Sequence, residues 1–338
     1  MNRLQLLISL YVVLLVYIGT RVRFDPMNHK YILGISEERI YYESPSLYDF
    51  NSDPNNTLIY GDLILSGECA YDNKCPVMVV LHGSLGWKDH HNKYVSELIR
   101  NGIGVFKIYS FESRGISITK GSQLYVTHQM MISDAYSVLN VLSEYDGIDM
   151  DNIGITGFSL GGAASILSGW NVCMHQDKHN TVYNFNIHIG IYPPCFIVPY
   201  EKLWTDNPMI AMIGSEDKWT PTRSCVKLFS SIYDSDDYSI LNKHLVIYPY
   251  EHHSFDASVP VTYVKNALNF EKCNFIISPD NYTLYDQELC DYIDSVYSRI
   301  NIFSKCATID DHLIGYNNTV SSIKLLNDYI YYSSLYMR

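Results

Sequence analysis

The feature that most restricts this chain is the string Gly157-Phe158-Ser159-Leu160-Gly161, set between two segments of opposite habit. Residues 153–156 are rich in β-branched side chains and favour a strand, whereas residues 163–170 are small and apolar enough to pack as a helix against a sheet. A strand that becomes a helix across one serine puts that serine in a strained backbone conformation. Glycines two residues to either side let strand and helix approach without Cβ clashes. The turn lifts the Ser159 hydroxyl above the carboxyl edge of a sheet, at a helix start whose free N–H groups favour developing negative charge. GxSxG strings also arise by chance, so the rest of the chain must supply the sheet, a base and an acid.

Upstream, residues 58–65 and 76–81 read as strands. The second, PVMVVL, is almost continuously apolar, as a strand covered on both faces should be. It runs into His82-Gly83-Ser84-Leu85-Gly86, a loop of the HGxxG type that can aim a backbone N–H at a substrate carbonyl oxygen. The candidate donors of an oxyanion hole are therefore the N–H of Ser84, with Leu85 as its alternative, and the N–H of Leu160 just after the serine. Residues 92–101 carry Tyr94, Val95, Leu98 and Ile99 on one helical face and stop at Gly102. Residues 104–109 return as a strand, leading into Ser110-Phe111-Glu112-Ser113-Arg114-Gly115. Arg114 is a candidate substrate clamp, although loop arginines more often pair internally. Residues 128–145 have helical periodicity. Strand and helix thus alternate up to the elbow, the signature of a mostly parallel sheet with helices on both faces.

Beyond the elbow, residues 186–192 and 209–213 read as strands. The second ends in Gly214-Ser215-Glu216-Asp217-Lys218-Trp219, where an acid that orients a histidine belongs; Asp217 is the candidate and Glu216 the alternative. Residues 222–233 read as a helix and residues 245–248 as the last sheet strand. That strand leads into Glu251-His252-His253-Ser254-Phe255. A histidine here completes the order serine, acid, histidine, which belongs to neither the trypsin nor the subtilisin arrangement. Spacing alone leaves His252 and His253 both open. Residues 261–270 and 319–335 are read as closing helices, and residues 272–311 as an insertion containing Cys273, Cys290 and Cys306 that overhangs the site.

With 338 residues, one large domain over residues 24–338 suffices. A formal net charge of −12, with no cluster of lysine and arginine, argues against a nucleic-acid partner. Residues 4–18 form an apolar run between Arg3 and Arg21, so residues 1–23 are expected to be a signal peptide or, with a poor cleavage site at the exit, a membrane anchor. Eight cysteines fit an exported chain, and Cys69 and Cys75 flank a turn that a disulfide can close. Asn55, Asn281 and Asn317 begin glycosylation sequons.

Taken together, PVMVVLHGSLG, SFESRG, GFSLGG, GSEDKWTPTRSC, YPYEHHSFD and LIGYNNT resemble the dienelactone hydrolase family of α/β hydrolases, in particular its exported, serine-bearing branch. The pieces run in the family's order over residues 76–319. The resemblance implies an α/β-hydrolase fold, with Ser159 as nucleophile, Asp217 as acid and His253 as base. It prefers His253 over His252 because the family's histidine is followed by a small residue and then phenylalanine. Two departures stand out: dienelactone hydrolase itself uses cysteine as nucleophile, and Tyr109 occupies a place where relatives often have aspartate. The expected activity is that of a carboxylesterase on a small-molecule ester, with neither metal nor organic cofactor. A peptidase or thioesterase on the same residues, or a non-catalytic binding module of the same fold, are the alternatives.

Overall fold

The computed structural model describes residues 22–24, 31–121, 123–173, 181–201, 203–233, 242–316 and 318–337. The apolar run of residues 4–18 and the third sequon asparagine, Asn317, lie outside them. A small hairpin, β1 (Val22–Phe24) and β2 (Tyr31–Leu33), precedes the main sheet.

Eight strands build that sheet. In chain order they are β3 (Ile35–Ser46), β4 (Asn55–Ser66), β5 (Cys75–Leu81), β6 (Gly104–Ile108), β7 (Ile148–Phe158), β8 (Ile187–Ile191), β10 (Met209–Gly214) and β11 (Lys243–Tyr248). In space they run β3-β4-β6-β5-β7-β8-β10-β11. From β6 to β11 all neighbours are parallel, while β4 runs antiparallel to both β3 and β6. This is the α/β-hydrolase arrangement, a mostly parallel sheet whose elbow strand, β7, lies near the middle.

The alternation of side chains along the central strands explains why helices cover both faces. Val77, Val79 and Leu81 of β5 join one core with Met131, Ile132, Ala135, Leu139 and Leu142 of the helix His128–Leu142 and with Ala164 and Leu167 of the helix Leu160–Leu167. Met78 and Val80 join another with the helices His91–Arg100, Thr222–Tyr233 and Thr319–Tyr336. Burying each valine, leucine or phenylalanine removes enough apolar surface to contribute about 2 kcal/mol before conformational entropy is counted.

Two sequence readings are corrected. Residues 261–270 are not a closing helix: Thr262–Asn269 forms β12, antiparallel to β16 (Thr308–Ile314). Val, Thr and Tyr favour a strand there, and Asn266, at φ 55, makes a bulge that no helix would accommodate. The elbow helix also begins directly after the serine, at Leu160, and ends at Leu167. The segment β3, mostly exposed along its outer half, was not anticipated; it closes the sheet edge by pairing with β4 over its full length.

The insertion is a structured unit. β13 (Phe275–Ile277), β14 (Leu284–Asp286) and β15 (Asp291–Tyr292) join β9 (Val198–Pro199) in a small sheet of order β15-β14-β13-β9. The helix Val296–Cys306 follows. Cys273 is bridged to Cys306 and Cys195 to Cys225; Cys69 and Cys75 close the turn before β5, and Cys290 is free and exposed. No helix among the described residues is long and apolar enough to cross a membrane.

Candidate active site

Ser159 stands between the end of β7 and the first residue of the next helix, at φ 51 and ψ −113. A non-glycine residue in that region costs about 1–3 kcal/mol and must be held by its surroundings. Three contacts hold it here. The Ser159 N–H donates to the Ile191 carbonyl at 2.8 Å, its own carbonyl accepts from Ala163 at 3.0 Å, and the Gly161 N–H donates to the His82 carbonyl at 3.1 Å. The flanking glycines are required by contact. A Cβ on Gly157 would lie 2.3 Å from the Gly161 backbone, and one on Gly161 would lie 2.6 Å from the His82 and Leu81 carbonyls.

The loop after β10 delivers Asp217 and the loop after β11 delivers His253. His253 Nδ1 lies 2.7 Å from Asp217 Oδ2, and His253 Nε2 lies 3.0 Å from Ser159 Oγ. Asp217 Oδ1 accepts from the N–H groups of Trp219 (3.0 Å) and Thr220 (2.8 Å), and Oδ2 accepts from the Thr220 hydroxyl at 2.7 Å. Since a carboxylate only accepts, Nδ1–H of His253 donates to it, leaving Nε2 free to accept from the serine hydroxyl. The imidazole is 2% exposed and lies between the rings of Tyr192 and Trp219, with centroids 4.9 and 5.0 Å away. Gly315 N–H donates to the His253 carbonyl at 3.3 Å, tying the loop to the end of β16. His252 instead has its ring against the Glu216 carbonyl, and Glu216 is exposed.

The HGxxG loop lies against the elbow: a Cβ on Gly83 would be 3.3 Å from the Cβ of Ser159. His82 anchors it from beneath, with Nδ1 3.0 Å from the Gly83 carbonyl and Nε2 accepting from the Phe111 N–H at 3.4 Å. Burial keeps this imidazole below its ordinary pKa and therefore neutral. The Ser84 carbonyl accepts from Thr119 at 2.9 Å, while the N–H groups of Ser84 and Leu160 have no acceptor among the described residues. Ser84 lines both cavities that flank Ser159, whereas Leu85 lines only the larger.

Arg114 is not placed to clamp a substrate. Its guanidinium makes two bonds to the buried Asp134 carboxylate, at 2.8 and 2.9 Å, and donates to Ser46 Oγ and the Ser110 carbonyl. Burial opposes its charge, but Asp134 outweighs that and raises its pKa. The arginine therefore pins the loop after β6 to β3 and to the helix His128–Leu142.

Sequence reasoning passed over Thr220 and Trp219. Thr220 supplies a hydroxyl and an amide to Asp217, and also lies 3.1 Å from His253 Nδ1. Trp219 donates Nε1–H to the Leu268 carbonyl at 3.1 Å and stacks flat on His312. The signal available was position: the two residues follow the acid directly, where an aspartate commonly caps the amides two and three residues ahead.

Two cavities meet at Ser159. The larger, about 350 Å³, is lined by His253, Tyr192, His90 and Val259 among others. The smaller, about 40 Å³, is walled in part by Leu268 of β12, by Phe270 just beyond it, and by Phe275, Leu284 and Phe303 of the insertion. The insertion thus forms part of the wall beside the serine.

No protein-family model matches this chain. No curated protein matches it. Solved structures do resemble it in shape. An acylaminoacyl peptidase is 15% identical with a TM-score of 0.49, over 67% of this chain and 38% of that one. A dienelactone hydrolase-like promiscuous phosphotriesterase from metagenomic libraries is 13% identical with a TM-score of 0.48, over 66% and 85%. Esterase 2 of Thermogutta terrifontis is 15% identical with a TM-score of 0.45, over 63% and 85%.

Proposed function

We propose that this chain is a serine hydrolase and, within that class, a carboxylesterase working through an acyl-enzyme. The observation that carries the reading is the unbroken relay from Ser159 Oγ through His253 to Asp217, with links of 3.0 and 2.7 Å. His253 Nε2 takes the hydroxyl proton as Ser159 Oγ bonds to the ester carbonyl carbon. Asp217 holds the imidazole in the tautomer this needs and stabilises the imidazolium that forms. The amides of Ser84 and Leu160 receive the oxyanion. Collapse expels the alcohol, which takes the proton from His253. Water, deprotonated by the same imidazole, then releases the acid and restores the serine hydroxyl.

Three disulfides support synthesis for an oxidising compartment, in keeping with an exported protein. The test of the reaction class is a matched set of short-chain 4-nitrophenyl ester, 4-nitroanilide and thioester substrates. The ester is expected to be turned over fastest, with all turnover abolished in Ser159→Ala. Faster cleavage of the anilide would make the protein a peptidase.

A further inference from the structure

The insertion brings to the site one charged group that the reaction above does not use. Arg299, on the helix Val296–Cys306, is 3% exposed and lines the same small cavity as Ser159. Among the described residues no carboxylate forms an ion pair with it, and its buried Nε has no hydrogen-bond partner. Its guanidinium has the Tyr48 side chain as a hydrogen-bond partner and lies over aromatic faces, with Cζ 5.2 Å from the Tyr48 ring centre and 5.5 Å from that of Phe303. Asp49 is the acid whose charge reaches it, but that carboxylate already accepts from Ser52 Oγ and the Asn51 N–H. Burial lowers the Arg299 pKa, and Tyr48 and Asp49 offset this only in part.

Arg114 shows how the same chain buries an arginine for purely structural ends, with two bonds to one carboxylate. A desolvated guanidinium lacking such a partner is costly, and the cost is recovered when an anion arrives. The rest of the cavity wall selects for one. Among the described residues no acidic one lines it, and His128, the other basic residue there, is held neutral by burial and by the Arg299 charge, with its pKa brought down to about 3. Arg299 is therefore the cation of that cavity, in a protein whose formal net charge is −12.

The site's geometry also says which arm of an ester enters. The leaving alcohol must take its proton from His253 Nε2, and His253 lines the larger cavity but not the smaller. The alcohol arm accordingly occupies the larger cavity, and the acyl arm the one containing Arg299. At about 40 Å³ that space holds about three water-sized groups, at roughly 10–15 Å³ each. A short methylene chain ending in a carboxylate fills it.

We propose that Arg299 is the acyl-end specificity residue and that the preferred substrates are hemiesters of short dicarboxylic acids such as malonate and succinate. This rests on the serine hydrolase reading. The distal carboxylate is bound and unchanged, while the Ser159 Oγ–acyl bond forms and the alkyl C–O oxygen departs as the alcohol with the His253 proton. Water then frees the dicarboxylate.

The test compares monoethyl succinate with ethyl butyrate, its neutral counterpart of similar shape, by following acid release in a pH-stat. A hydrogen-bonded, desolvated ion pair should favour the succinate ester in kcat/KM by about 10- to 100-fold. That ratio should fall to about one or below in Arg299→Met and be partly kept in Arg299→Lys, with melting temperatures measured alongside. If Arg299→Met does not fold, the wild-type ratio and its reduction in Arg299→Lys decide. Preference of the wild type for ethyl butyrate, or an unchanged ratio in Arg299→Met, overturns the assignment while leaving the hydrolase reading intact. If neither ester is turned over, free succinate should still slow fluorophosphonate labelling of Ser159 in the wild type, less in Arg299→Lys and not in Arg299→Met. Such protection would uphold the subsite and reject the ester chemistry, whereas no protection would reject the subsite.

Discussion

Replacing Asp217 by asparagine changes one atom of the side chain and, through the hydrogen bonds around it, the direction in which a proton can move on the far side of the His253 imidazole. The Trp219 and Thr220 amides, at 3.0 and 2.8 Å, keep the asparagine oxygen at the Oδ1 position. The new amide nitrogen is then forced to the Oδ2 position, 2.7 Å from His253 Nδ1. That nitrogen only donates, so Nδ1 must accept and the imidazole proton moves to Nε2. There it points at Ser159 Oγ, 3.0 Å away, and the hydroxyl has no base to receive its proton. Trapping the wrong tautomer should lower kcat by about 10⁴-fold, or about 5.5 kcal/mol of barrier, because the oxyanion donors and substrate binding remain. The fold loses little, about 2 kcal/mol or less, since shape and most hydrogen bonds are kept. The assay is kcat on a short chromogenic ester beside a urea unfolding curve. Activity within tenfold of wild type would refute the assigned role of the carboxylate.

Two further outcomes follow from the packing. Gly161→Ala places a methyl 2.6 Å from two backbone carbonyls that cannot turn aside; it should destabilise the protein by about 3 kcal/mol in urea unfolding and abolish activity with it. His188, buried on β8 with Nδ1 2.8 Å from Ser168 Oγ, has its pKa pushed down by burial to about 3. Because the folded value lies below the unfolded one, the stability it contributes is full above about pH 6.5 and is lost as pH falls toward 3. His188→Gln should therefore flatten the loss of stability over that window by up to about 1.4 kcal/mol per pH unit, measured by urea unfolding at pH 7, 5 and 4.

What was legible in the sequence was what local chemistry decides. The run from residue 76 to 81 is short, valine-rich and almost continuously apolar, as a strand covered on both faces should be, and the structure buries Val77, Val79 and Leu81 completely. The elbow was legible because its sterics lie within five residues. Asp217 and His253 were placed by their position after late strands, and the choice of His253 over His252 came only through the family resemblance. Contacts that depend on distant segments were not readable. Residues 261–270 become a strand because residues 308–314 pair with them, and β3 has too many exposed positions to announce itself. Arg114 and Arg299 illustrate the limit most sharply: one is half-buried and meets Asp134, the other is buried and among the described residues meets no carboxylate, a difference set by the tertiary fold.

An activated hydroxyl on Ser159 should react with a fluorophosphonate, a reaction read by intact-protein mass spectrometry and peptide mapping. One adduct per chain is expected, on Ser159, absent in Ser159→Ala and slowed at least about 10³-fold in His253→Ala, by analogy with other serine triads. A folded wild type that takes up no label, or one labelled equally well when His253 is alanine, would contradict that activation.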